Sequence, residues 1–127
     1  MVNRMDDASG SSQLRRGVVG PCILALLASG PRYGLQIVRE LDAVGQLLTS
    51  QGTVYPLLNR LSDAGLVRSS WDLATGGRPR RYYELTPAGE EHLRTFITDW
   101  TRFSRSVEEL LARSPGRADT PATRETT

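Results

Sequence analysis

The spacing of apolar positions divides the chain into a helical half, a short extended stretch and a second, longer helical run. In residues 13–29, Leu14, Val18, Ile23, Leu26 and Leu27 fall on a helical stripe. Gly17, Gly20 and Pro21 weaken its first half, and Gly30-Pro31 stops it. A second helix is predicted from Tyr33 to Ala43, with Leu35, Val38 and Leu41 facing inward. Residues 44–49 read as a loop with a short extended piece at Leu47–Leu48. In a third helix, roughly Ser50 to Asp63, Val54, Leu57, Leu58 and Leu61 recur at i, i+3, i+4 and i+7. Thr49 or Ser50 can cap it, and Gly65 is a natural stop. Pro56 removes a backbone donor and is tolerated only near a first turn, so the regular helix should start late, around Thr53.

Leu66–Leu73 and Arg80–Leu85 are rich in Val, Trp and Tyr, and the A-T-G-G-R-P between them is turn chemistry. They are predicted to form a hairpin with a glycine–arginine tip. Thr86-Pro87 then supplies an N-cap and a proline at the first helical position. From Pro87 to about Arg113 the apolar residues Leu93, Phe96, Trp100, Phe103, Val107 and Leu110 are spaced 3, 4, 3, 4, 3. This is a heptad seam, and the helix that carries it is about 40 Å long. A small domain cannot cover such a helix; a second copy of it is the simplest apolar surface to supply. Leu93, Phe96, Trp100, Phe103, Val107 and Leu110 are therefore the expected dimer interface.

The expected organisation is an α+β, mainly α fold: a winged helix-turn-helix domain over residues 13–86 and one dimerisation helix over 87–114. The ends, 1–12 and 115–127, are polar and small and are expected to be disordered tails. With 127 residues there is room for one modest core. No apolar run reaches membrane length and no signal-peptide stretch opens the sequence, so a cytoplasmic location is expected. The formal net charge is only +2, but the region between the tails holds 13 Arg against 10 acids. All basic residues are arginine; arginine suits bidentate contacts to phosphate and guanine, but the absence of lysine reflects base composition of the genome and carries no weight for function.

Three groups of residues carry candidate chemistry. Ser50, Gln51, Thr53, Tyr55, Asn59 and Arg60 occupy the exposed side and start of the third helix. Small polar groups near a helix N-terminus reach phosphates or base edges, and a tyrosine can pack on a sugar. Gly77, Arg78, Arg80 and Arg81 form the hairpin tip, where three like charges within four residues favour an anionic partner. On the last helix, Trp100 at a seam position can leave an aromatic-walled gap across a two-fold axis. Phe96 and Phe103 would line that gap and Asp99 would face a cationic group, making these four the candidate effector site.

Nothing comparable supports catalysis. The chain has one His and one Cys. His92 follows two helix-surface acids, Glu90 and Glu91, and Cys22 lies among apolar residues. No nucleophile–base order, metal-ligand spacing or phosphate-cradling glycine loop is present, and no cofactor is expected.

At G-T-V-Y-P-L-L-N-R-L-S-D-A-G-L-V, residues 52–67, the sequence resembles the PadR family of bacterial transcriptional regulators. The likeness runs back to P-R-Y-G-L-Q-I at 31–37 and forward through R-P-R-R-Y-Y-E-L-T-P-A-G, covering residues 17–111. The resemblance implies a homodimeric winged helix-turn-helix repressor that leaves its operator, an inverted repeat in double-stranded DNA, when a small molecule binds. It places DNA contacts at Ser50, Gln51, Thr53, Tyr55 and Arg60, and the wing at Gly77–Arg81. A single C-terminal helix matches the short class of the family, in which a tryptophan at the position of Trp100 stacks planar hydrophobic compounds at the dimer centre. A second reading is a winged-helix module whose basic face meets an acidic protein partner, with Asp63 and Asp72 flanking the reading surface.

Overall fold

A computed structural model describes residues 16–45, 51–73 and 77–115. Leu14, Leu47–Leu48, the caps Thr49 and Ser50, the turn residues 74–76 and nearly all of the expected tails lie outside the described residues. The described elements are α1 (Val19–Ala28), β1 (Arg32–Tyr33), α2 (Gly34–Ala43), a 3-10 turn (Gln51–Thr53), α3 (Val54–Asp63), β2 (Val67–Asp72), β3 (Arg80–Leu85) and α4 (Pro87–Leu111). This is the expected mainly helical α+β fold with a winged hairpin.

The core draws on each early element. Val19, Ile23, Leu24 and Leu27 of α1 meet Ile37, Val38 and Leu41 of α2. Val54 and Leu58 of α3, Val67 of β2 and Tyr83 of β3 complete the cluster. Full burial of each such side chain is worth about 1.5–3 kcal/mol, so this small set outweighs any surface pairing in holding the helices together. Leu57, Leu61 and Leu93 pack against its edge.

Two helices differ from expectation. The chain turns at Gly17–Val18, so regular α1 starts only at Val19; this leaves Pro21 in the first turn, where its missing N–H costs nothing. In α2, Leu35 is 48 % exposed rather than inward. The buried residues are Gly34, Ile37, Val38 and Leu41, an i, i+3, i+4, i+7 set that leaves Leu35 about 100° away around the helix.

The third helix follows expectation. The 3-10 turn ends at Thr53, α3 begins at Val54, and Pro56 sits in its first turn. At its end, Leu66 N–H donates to the Leu61 carbonyl and Gly65 N–H to that of Ser62, with Gly65 at φ +78°. These two bonds satisfy carbonyls that the helix leaves open and turn the chain into β2.

The three strands form an antiparallel sheet in the order β1-β3-β2. Asp72 stands opposite Arg80, Trp71 opposite Arg81 and Ser69 opposite Tyr83, while Tyr33 of β1 pairs with Tyr82. β1 was not foreseen. It has two residues, too few to show a period, and it exists because β3 offers an open edge. After β3, Thr86 Oγ1 accepts from Gly89 N–H at 3.0 Å, which is the predicted N-cap of α4. Gly89 has to be glycine: a Cβ there would lie 2.1 Å from the Leu66 carbonyl oxygen.

By its contacts the chain divides after Leu93 into a winged unit and a helical unit, with α4 running continuously through the boundary. Among the described residues, no helix is long and apolar enough to cross a membrane, and no cluster of potential metal ligands occurs.

Candidate nucleic-acid interface

The side of the winged unit that carries the expected DNA contacts is built from the start of α3, the first turn of α2 and the distal end of the hairpin. Thr53 is exposed immediately before α3, and Tyr55, Asn59 and Arg60 are exposed along it. Gln51 lies in the 3-10 turn, and Ser50 falls outside the described residues. Tyr55 is 43 % exposed. Its ring rests on the backbone of Gly34, the first residue of α2. Tyr55 is thus both a brace between two helices and a partly solvated phenol.

The wing arginines do not form one uniform cluster. Arg78 is exposed next to Gly77 at the described end of the connection. Arg80 stacks its guanidinium over the Tyr33 ring, 4.0 Å from the centroid. Such stacking favours Arg over Lys and leaves the edge of the guanidinium available for hydrogen bonding. Arg81 shares a strand face with buried Tyr83 and folds against the sheet. Its Nη2 donates to Ser69 Oγ at 2.8 Å, and the guanidinium lies 5.1 Å from the Trp71 ring. Strand alternation is the cause: residues 80 and 81 must point to opposite faces.

Three residues that the sequence reading missed hold this arrangement. The Tyr33 hydroxyl donates to Asp72 Oδ2 at 2.5 Å, and its ring lies 4.9 Å from that of Tyr82. That hydrogen bond is the main cause of a raised Tyr33 pKa, since it favours the protonated phenol. Arg32 joins three segments: Nη1 donates to the carbonyls of Leu26 and Gly30, and Nε to Glu40 Oε2. Trp71 is exposed beside Arg81. Tyr33 and Arg32 stand in the P-R-Y-G motif, but the cross-strand partner that gives Tyr33 its role is 39 residues away.

In the helical unit, Phe96 and Trp100 lie with ring centroids 6.1 Å apart and planes within 14°, and Trp100 is followed by Phe103 at 6.3 Å. Trp100 is 44 % and Phe103 62 % exposed, and Val107 and Leu110 are exposed beyond them. Ile97 and Leu111 are exposed too, four and eighteen residues after Leu93 on the same side, and they widen the seam. Asp99 is exposed. Leu93 itself packs against the core of the winged unit.

A three-helix core that takes in Tyr83 of β3, and a two-stranded arginine-bearing wing, define a winged helix-turn-helix protein. The match to known sequences is more specific. The PadR-like family of transcriptional regulators matches residues 23–95. A transcriptional regulator of Mycobacterium tuberculosis is 36 % identical over 98 residues, covering 77 % of this chain and 83 % of that protein. Among solved structures, a PadR family regulator from Eggerthella lenta superposes with a TM-score of 0.76 at 33 % identity, covering 90 % of this chain and 99 % of that one. A PadR-like regulator from Bacillus cereus gives a TM-score of 0.69 at 32 % identity, covering 78 % and 96 %. This chain belongs to the PadR-like family of transcriptional regulators, and its function is DNA-binding regulation of transcription rather than catalysis.

Proposed function

We propose that the chain acts as a homodimeric repressor, with the exposed apolar face of α4 as the dimer contact. In this reading two copies of α3 enter successive major grooves of an inverted repeat whose half-sites lie about one helical turn apart. Thr53, Tyr55, Asn59 and Arg60, together with Ser50 and Gln51 ahead of them, meet the groove and its phosphates. Arg78, Arg80 and Arg81 meet the flanking backbone. One observation carries the reading: Tyr55 of α3 and Arg80 and Arg81 of the wing border a single cleft, so the recognition helix and the wing address the same side. A planar hydrophobic effector stacking against Trp100 would separate the two reading helices and release the operator. The Phe96–Trp100–Phe103 series, exposed at Trp100 and Phe103, supports that site, and Asp99 would meet a cationic group on the same ligand.

The test is a titration of the protein onto the DNA immediately upstream of its own gene, against a scrambled duplex, at several salt concentrations. Contacts from Arg60, Arg78, Arg80 and Arg81 of both copies give a log–log salt slope of up to about −7. Binding at least about a hundredfold tighter to the promoter would establish specific regulation. Equal, weak and shallow binding to both duplexes would move the reading to a protein partner for the basic face. Replacing Trp100 by Ala should abolish release by a planar effector while leaving operator affinity in place.

A further inference from the structure

The cleft that joins α3 to the wing reaches further than the residues already assigned. It has a volume of about 320 Å³ and is bordered by Tyr33, Leu35 and Arg39 as well as Tyr55, Arg80 and Arg81, with Gly34 and Gln36 at its base. Its walls are of two kinds. Tyr55, Tyr33 and Leu35 present carbon, and Leu35 is exposed there although it is apolar. Arg39, Arg80 and Arg81 border it too and make its surroundings positive. The Gln36 side chain accepts from the Tyr33 N–H at 2.8 Å, which fixes the start of α2 at the edge of the cleft. The next amides of that first turn have no carbonyl within the helix to donate to.

The geometry points to a seat for one sugar–phosphate unit of the DNA backbone, held by Arg39 and Arg81 with the deoxyribose against Tyr55 and Leu35. The inference rests on the DNA-binding reading above and adds Arg39, Leu35 and the first turn of α2 to it. Three observations carry it. The cleft pairs carbon walls with cationic ones, as a sugar joined to a phosphate requires. Arg39 makes no hydrogen bond or ion pair among the described residues, so its charge is available. Arg81 borders the cleft, and its Nε is buried without an acceptor among the described residues, so an outward shift of the side chain would let a phosphate oxygen satisfy that donor. Arg80 contributes less to the seat, because its charge is already shared with the Tyr33 ring and stands opposite Asp72. A phosphate contact of this kind positions α3 in its groove and carries no base specificity.

The full chain is tested on its promoter duplex and on a scrambled one, as wild type, Arg39→Ala and Arg39→Lys. Loss of Arg39 is expected to weaken binding about tenfold on both duplexes. It should also make the salt slope shallower by about one phosphate contact per protomer, and Lys should restore most of the affinity. A duplex carrying one methylphosphonate, scanned along the half-site, should show one linkage whose neutralisation weakens the wild type and leaves Arg39→Ala unaffected. If Arg39→Ala matches the wild type in affinity and slope, or if no linkage is coupled to it, the seat is wrong and the DNA reading stands. If the wild type shows no salt-dependent binding to either duplex, both fail together. Retained DNA binding that free inorganic phosphate displaces only from the wild type, with no coupled linkage, would overturn the backbone seat in favour of a free phosphate ligand.

Discussion

The ring of Tyr55 lies so close over Gly34 that a Cβ at Gly34 would sit 2.6 Å from Tyr55 Cε1 and 3.0 Å from its hydroxyl oxygen. Gly34→Ala therefore cannot keep Tyr55 where it is. Because Tyr55 is 43 % exposed, its ring can swing outward at small cost, and alanine is the better helix former. The variant should stay within about 1 kcal/mol of wild-type stability while operator affinity falls about tenfold or more. Thermal unfolding beside a DNA titration separates the two quantities. Unchanged affinity in a stable Gly34→Ala protein would remove Tyr55 from the reading surface.

Arg32 is the main polar tie within the winged unit. One guanidinium spans the carbonyls of Leu26 and Gly30, at 2.7 and 2.6 Å, and the Glu40 carboxylate at 2.9 Å. Its side chain is only 18 % exposed, so these bonds are poorly replaced by water. Arg32→Met keeps the aliphatic stem but should cost about 2 kcal/mol. Lysine should recover only part of that, because one ammonium cannot reach three acceptors in the guanidinium's geometry. Glu40→Gln, changing the more exposed partner, should cost under about 1 kcal/mol. Urea unfolding of the three variants tests this ranking, and equal stabilities would overturn it.

Alkaline stability should depend on two tyrosines. Tyr33 is raised mainly by its hydrogen bond to Asp72, and Tyr83 mainly by burial, with Arg81 opposing. A tyrosine whose pKa is higher folded than unfolded stabilises the fold fully below the unfolded value. That stability is lost as pH rises past the unfolded value of about 10 and through the folded one. Stability should therefore be insensitive to these groups near neutrality and fall above about pH 10. Tyr33→Phe should be less stable near neutrality, having lost the Asp72 bond, and should fall less steeply in alkali. Parallel unfolding curves for wild type and Tyr33→Phe across that range would contradict the assignment.

The parts of the fold that were legible in the sequence are those where one element states its own period. The α3 stripe, the late helix start forced by Pro56, the β3 limits and the Thr86 cap are all local. Leu35 was misjudged because Leu35, Val38 and Leu41 fit a helical stripe almost as well as Ile37, Val38 and Leu41, and only the packing of α2 against α1 and β3 decides between them. Arg81 could have been separated from Arg80 by alternation alone, since Tyr83 is the inward residue of β3. The cleft could not be read at all. Arg39, Tyr55 and Arg81 come from three elements whose proximity is a property of the fold.

The exposed apolar face of α4 gives the last prediction. Phe103 is 62 % exposed, and Trp100, Val107 and Leu110 are exposed with it. In a lone chain Phe103→Glu would replace one solvated side chain by another and should be nearly neutral. If the seam joins two copies, the same change buries two unpaired carboxylates at the contact and should split the dimer. Sedimentation should then find the wild type dimeric and Phe103→Glu monomeric. The wild-type melting temperature should rise with protein concentration, and that of the variant should not. Operator affinity should fall well over tenfold, because each half-site must then be bound without its tethered neighbour. A Phe103→Glu protein that remains dimeric would place the contact between copies elsewhere on the molecule.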